Sequence, residues 1–406
     1  MHAHPCHPAR CSRSLLVGLA ALLGVAFASA PHVARACGGC FAPSGEASPV
    51  IAHRMAVLMA ADRTVLWDQF EYEGDPSEFV WILPVLGTEE VEVELSTDDF
   101  FQQLSAMTRV QLSGPFQSTG GGGRSPFFGC GGSADGGSYS RVEPPVTVYR
   151  EATVGPYETV VIGSEDPDAL VTWLRDHDYV IGDDLLPIID YYTRRGSNFL
   201  ALRISPDAYQ KRMQPVRVTC PVASDTLPLR MVTAGVRSSV ALELFVFGDV
   251  RYQAANFVNV EVDREEVTFS RTTSTYNYDA LAAEALTQRA GEVWLTEFAD
   301  QVDYWEYDPA EPDGQGGVYS APDDWAVVRN VYSTPFLTRM RADLPVHALA
   351  GDLALEPSLL PSLPRTIQVT RFDDTPAEAT AASGLPPVPA LIVLGAGLLG
   401  VLRRRR

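Results

Sequence analysis

The chain has 406 residues, 46% of them hydrophobic, which is enough to bury the core of one large domain or two ordinary ones and too much for a disordered protein. Its formal net charge is −20, but the two ends hold seven arginines and no acid, so the body between Cys37 and Leu402 carries 24 basic against 51 acidic residues, or −27. A surface of that charge repels phosphate backbones and anionic lipid, which argues against nucleic acid as a partner.

The first element is an export signal. Arg10 and Arg13 precede an apolar run at 15–27 (LLVGLAALLGVAF), and two small-x-small sites follow, Ala28-Ser29-Ala30 and Ala34-Arg35-Ala36. About 20 apolar residues are needed for a spanning helix, so residues 1–36 read as a cleaved secretory signal. The mature chain then keeps Cys37, Cys40, Cys130 and Cys220, an even number in an oxidising compartment. Structural disulfides are the favoured reading, with three pairings open. Cys37-Gly-Gly-Cys40 lacks the strand and helix of a redox dithiol, and His53, His177 and His347 show no paired spacing for zinc.

From residue 50 onward short strands dominate. Alternation at 65–72 and β-branched content at 79–85 (FVWILPV), 91–95, 146–149 and 159–162 mark half-buried strands. A helix at 97–109 interrupts them, with Thr97 as N-cap and Phe100, Phe101, Leu104 and Met107 on one face. The Gly-rich segment 118–138 is a surface loop: no Gly-Lys-Ser/Thr follows it, so it is no phosphate cradle. Asp166-Pro167 opens a second helix whose face carries Leu170, Trp173, Leu174 and His177, and a third helix at 184–195 ends at Gly196. Strands are expected at 199–204, 216–222, 229–232 and 240–247, then a helix at 278–290 and a strand at 293–298. An acidic Pro/Gly-rich stretch spans 300–324, ordered segments follow at 326–331 and 336–344, and 366–372 closes the body. The fold class is therefore α+β, a β-rich mixed sheet body with a few packed helices. Its N-terminal part is 37–250, and 251–374 is the C-terminal part of the same body or a second subdomain.

Residues 375–387 form a linker of Ala, Thr, Pro and Ser, and 388–406 an apolar tail closed by arginines. Leu391, Leu394, Leu398 and Leu399 would sit in a membrane, and Arg403, Arg404, Arg405 and Arg406 would stay on its cytoplasmic side, leaving the body outside. With its entry Pro386-Pro387-Val388-Pro389, this tail resembles the C-terminal sorting signals of Gram-negative bacteria. It lacks the Glu of the Pro-Glu-Pro type and the Gly-Cys of the myxobacterial type. The expected location is the periplasm or cell surface, and the expected partners are the membrane, the export and sorting machinery, and a protein or glycan ligand.

Three places offer groups that could do chemistry. Asp176-His177-Asp178 places an imidazole between carboxylates, but adjacent helical residues point in different directions, so His177 is expected at the edge of the core. The acids of the 300–324 stretch, Asp303, Asp308 and Asp313 among them, offer calcium ligands without an EF-hand series and read as a solvated loop. Tyr304-Trp305-Glu306-Tyr307 reads as edge packing. No nucleophile, base and oxyanion set is visible and no cofactor is expected. A non-catalytic binding or structural protein leads, ahead of a hydrolase using carboxylates or His177 and of a calcium-stabilised module.

Taken in order, several segments resemble the secreted bacterial family catalogued as domain of unknown function 2330: Ala36-Cys37-Gly38-Gly39, residues 78–84 (EFVWILP), 154–157 (VGPY), 169–175 (ALVTWLR) with Tyr179, 198–202 (NFLAL), Gln214-Pro215, Pro228-Leu229-Arg230 and 338–341 (TRMR). The one visible departure is Cys40, which follows Gly39 directly where many members place an aromatic residue first. The resemblance implies an exported mixed α/β domain and carries over no catalytic residue.

Overall fold

The computed structural model describes residues 39–41, 50–72, 80–88, 90–114, 146–179, 181–204, 213–236, 238–303 and 324–373. The signal, the Gly-rich loop with Cys130, Cys37, Asp308, Asp313, Tyr304-Trp305-Tyr307, the linker and the tail with its leucines and arginines lie outside the described residues.

The first half runs β1 (Gly39–Phe41), β2 (Val50–Met59), β3 (Thr64–Tyr72), β4 (Val80–Val85), β5 (Glu92–Leu95), α1 (Asp98–Thr108), β6 (Gln111–Ser113), β7 (Thr147–Val154) and β8 (Tyr157–Gly163). It continues through α2 (Pro167–Asp176), α3 (Leu186–Thr193), β9 (Asn198–Ile204), β10 (Val216–Cys220), β11 (Thr226–Leu227), α4 (Leu229–Val232) and β12 (Ser239–Gly248). Then come β13 (Tyr252–Ala254), β14 (Val258–Val260), β15 (Thr268–Ser270), β16 (Thr275–Tyr276), α5 (Tyr278–Thr287) and β17 (Val293–Gln301). The last are α6 (Asp324–Arg329), β18 (Phe336–Pro345), β19 (Leu353–Pro357), β20 (Thr366–Gln368) and β21 (Arg371–Asp373).

Two large sheets organise the body. One is antiparallel, in the order β1-β4-β9-β8-β7; the other is mixed, in the order β14-β17-β18-β12-β2-β3-β10-β5, with β12 and β2 parallel at its centre. The larger sheet thus draws strands from both sides of residue 250. Period-two alternation sorts each strand between two environments. Trp81 and Leu83 of β4, Leu200 and Leu202 of β9, Met55 and Val57 of β2, and Leu244 and Val246 of β12 meet in one core between the sheets. Their neighbours Val80, Ile82, Phe199 and Ala201 face outward under α2 and α3. Ala56, Leu58, Val65 and Trp67 face the opposite way under α1 and α6. The order of layers is helices, five strands, eight strands, helices.

The α+β expectation holds, and Thr97 caps α1 by accepting from the Phe100 N–H at 3.3 Å. Residues 229–232, expected as a strand, instead form one helical turn after Pro228, because Leu229, Met231 and Val232 are all buried and four residues are too few for alternation to decide. The segment 366–372 splits into β20, which pairs with β6, and β21, which pairs with β15.

The buried polar groups are specific. Asp324 is 3% exposed and accepts from Trp67 Nε1 (2.8 Å), Ser96 Oγ (2.7 Å) and Arg217 Nη1 (2.6 Å). This corrects the sequence expectation for that residue, which had placed it in a solvated acidic loop. His53 and Asp68 form a pair between the two sheets through His53 Nε2 and Asp68 Oδ1. On β17 a bulge between Thr296 and Phe298 turns Glu297 toward Arg339 and Arg341 of β18.

Candidate functional site

A concavity of about 560 Å³ opens at the end of the helix-covered face of the five-stranded sheet, where α2 stops short of the sheet edge. Its floor is a row of paired positions, Thr153 on β7 opposite Glu158 on β8, and Glu158 opposite Arg203 on β9. Glu151, next in line on β7, also contributes to the floor. The wall is the C-terminal end of α2: Trp173, Asp176, His177, Asp178 and Tyr179.

The way α2 ends explains the wall. Asp178 adopts a left-handed conformation (φ 65°), its N–H donates to Arg175 O at 3.2 Å, and Tyr179 N–H donates to Leu174 O at 2.9 Å. These two bonds make a Schellman motif, with Asp178 where glycine usually stands and Tyr179 packed beside Leu174 in the same core. Because the helix closes at Asp176, His177 and Asp178 leave the helical spiral, and all three residues line one hollow. Adjacent residues of an uninterrupted helix would diverge. His177, expected at the core edge, is exposed. Its ring stacks on Trp173 with centroids 3.8 Å apart and an interplanar angle of 17°.

The hydrogen bonds set the chemistry available. His177 Nδ1 donates to Trp173 O at 2.7 Å, an assignment that follows from the carbonyl being an acceptor, so in the neutral ring Nε2 carries the lone pair. Arg203 pairs with Glu158 (Nη2 to Oε2 2.6 Å), donates to His177 O at 3.0 Å, and sets its guanidinium 5.4 Å from the centre of the Tyr179 ring. Burial pushes the Tyr179 hydroxyl up to about 12; Arg203 opposes that shift, and Glu158 and Glu151 add to it. The carboxylates of Glu151, Asp176 and Asp178 have no hydrogen-bond or ion-pair partner among the described residues. The described residues that line the hollow include no serine or cysteine, and Thr159 donates its hydroxyl to Ala152 O at 3.0 Å.

The remaining sequence candidates stay apart from this hollow. His53 is buried with Asp68, His347 pairs with Glu292 at 3.1 Å, and Cys220 is a half-buried free thiol on β10 whose pKa burial raises to about 11. Cys40 lies on β1, where only the backbone is described. Among the described residues, no three His, Cys, Asp or Glu converge to hold a metal; Asp303 belongs to that set, Asp308 and Asp313 do not. No described helix is long and apolar enough to cross a membrane.

The profile of a family described as an uncharacterized protein conserved in bacteria (DUF2330) matches residues 31–355. The chain belongs to that family. In this DUF2330 protein the matched span takes in both large sheets and every residue of the hollow, and it ends within β19, before β20 and β21. No curated protein and no solved structure matches the chain.

Proposed function

We propose that this is a non-catalytic, exported envelope protein, held at a membrane by its C-terminal tail, whose body binds a cationic group of a protein partner in the hollow at the end of α2. The observation that carries the binding reading is the lining: the aromatic faces of Trp173, His177 and Tyr179 stand beside three carboxylates with no partner among the described residues. Carboxylates with aromatic faces are the two groups that attract guanidinium and ammonium. Arg203 already shows the arrangement internally, held between Glu158 and the Tyr179 ring. The left-handed Asp178 supports the reading too, since a conformation that favours glycine is kept at the rim of the hollow by a charged residue. Export and anchoring rest on the signal at 1–36 and on the tail at 388–406.

Calorimetric titration of the full chain with a hexa-arginine peptide tests the binding. Trp173→Ala leaves the net charge unchanged, so an expected tenfold weakening in that variant separates the hollow from general attraction to an acidic surface, about 1.4 kcal/mol and within the range of a partly desolvated cation–aromatic contact. Equal binding by wild type and W173A overturns the proposal.

One observation favours a second reading, an exported hydrolase. The hollow brings His177 together with Glu151 and Glu158 from separate strands, the gathering that reading requires. Turnover of any ester, phosphoester, glycosidic or peptide substrate that is abolished by His177→Ala or Glu151→Gln would establish it in place of the binding role.

A further inference from the structure

Residues 357–364 (PSLLPSLP) join β19 to β20 without a single charge, in a body that otherwise carries −27. The side chain of Leu359 at the tip is fully exposed (103%), and that of Leu360 is half exposed (51%). Val250, on the adjoining turn, is exposed as well. The loop is nonetheless firmly held. Ser358 N–H donates to Arg251 O at 2.8 Å, the buried Arg251 returns a bond from Nη1 to Pro361 O at 2.8 Å, and Leu363 exchanges two backbone bonds with Ala299. Three prolines restrict the backbone further. A large apolar side chain fixed in water, on a braced loop, is a contact surface whose ordering cost is already met.

We propose that the Leu359–Leu360 tip is an interfacial membrane contact that dips into the same bilayer as the tail. This rests on the anchoring reading above. Two observations choose lipid as the occupant. Arg264 donates to Pro364 O at 2.5 Å while Arg371 donates to Glu265 O at 2.7 Å, so the base of the loop and the strand from which the chain leaves the body adjoin the same turn. From Asp373 the 14 residues of 374–387 reach at most about 50 Å before the apolar tail begins, so the tether leaves the body from this side and keeps it within that distance of the bilayer. At the base Arg251 is paired with Glu261, while Glu356 accepts from Gln253 at 2.9 Å and keeps its charge; the tip itself, 357–364, carries none. Contact therefore depends on apolar insertion, and the acidic body opposes it on anionic lipid.

The test uses the full chain in phosphatidylcholine vesicles, with Leu359 replaced by the photo-crosslinking residue p-benzoylphenylalanine. An alkaline wash reads the tail, and the mass of the photo-adduct reads the loop. Retention on the vesicles with a phosphatidylcholine adduct at 359 is the expected result, with adduct yield falling at least threefold when half of the lipid is phosphatidylglycerol. The same photo-residue at Val148, an exposed position on β7 at the edge of the five-stranded sheet, should give none. Retention without a lipid adduct, an adduct to a second copy or another protein, or equal adducts at 148 and 359 overturns the loop proposal while leaving anchoring intact. Release by the wash overturns both.

Discussion

Asp324 joins parts of the chain that are far apart in sequence, accepting from Trp67 on β3, Ser96 after β5 and Arg217 on β10. Replacing it by alanine removes one acceptor from three buried donors. Arg217, 6% exposed, keeps only Glu94 at 2.6 Å, a half-exposed partner whose contribution is small. Breaking a buried ion pair by deleting one member costs about 3–5 kcal/mol, because the surviving charge stays buried, and the unsatisfied Trp67 and Ser96 donors overlap with that figure rather than add to it fully. For a body of this size the loss is a fall of roughly 4–7 °C in melting temperature. Melting of D324A followed by circular dichroism, with denaturant midpoints as a check, measures it; a loss below about 1 kcal/mol would refute the account of the network. The pH dependence has a definite sign. Burial raises the Asp324 pKa, against the opposing hydrogen bonds from Trp67 and Ser96 and the charge of Arg217. A carboxyl raised in the folded state contributes stability that is fully present below its unfolded pKa and lost as pH rises through its folded one. The stability gap between wild type and D324N therefore narrows as pH rises from the ordinary carboxylate value through the raised folded one.

The His53–Asp68 pair behaves as a unit: Asp68→Leu alone costs about 3 kcal/mol, because it leaves His53 between the sheets without its acceptor, whereas H53L/D68L lies within about 1 kcal/mol of wild type, as urea midpoints will show. Asp178→Gly trades relief of the left-handed conformation against the greater freedom of unfolded glycine, so its stability stays within about 0.5 kcal/mol of wild type. The same variant weakens hexa-arginine binding severalfold in the titration, and a variant that binds as wild type does would remove Asp178 from the site. Cys220, raised to about 11 by burial, is thiolate to only about one part in a thousand at pH 8. Iodoacetamide should therefore label it slowly in the folded protein and completely once the chain is unfolded without reductant. Labelling that waits for reductant would place Cys220 in a disulfide with Cys37, Cys40 or Cys130.

The sequence was most legible where local rules and tertiary demands coincide. Thr97 before Asp98-Asp99 and an apolar stripe specify α1 wherever it packs, and the alternation of β3 follows from its lying between two different cores. Legibility fails where burial on both faces erases the pattern. β2, at the centre of the larger sheet between β3 and β12, reads VIAHRMAVLM, with alanine, methionine, histidine and arginine in place of the β-branched residues that mark a strand. The topology was hidden for a related reason, since the parallel pairing of β2 with β12 joins residues nearly two hundred positions apart.

At the candidate site the sequence holds the residues but not the point at which α2 stops, which decides that His177 is exposed. Asp176, His177 and Asp178 were set apart because consecutive helical residues diverge, an argument that holds only while the helix continues. What ends it at Asp176 is Asp178, two residues on, in the conformation usually given to glycine. No glycine marks the stop, so the sequence offers little warning of it. The contribution of Glu151, Glu158 and Arg203 was less accessible still, because it depends on the register by which β7, β8 and β9 pair. A shift of one residue would send all three side chains to the opposite face, into the core between the sheets. The hydrophobic partition of β8 and β9 therefore positions the charged row: Val160, Ile162, Phe199 and Ala201 are drawn under α2 and α3, and Glu158 and Arg203, two residues further along the same face, emerge where that helical cover ends.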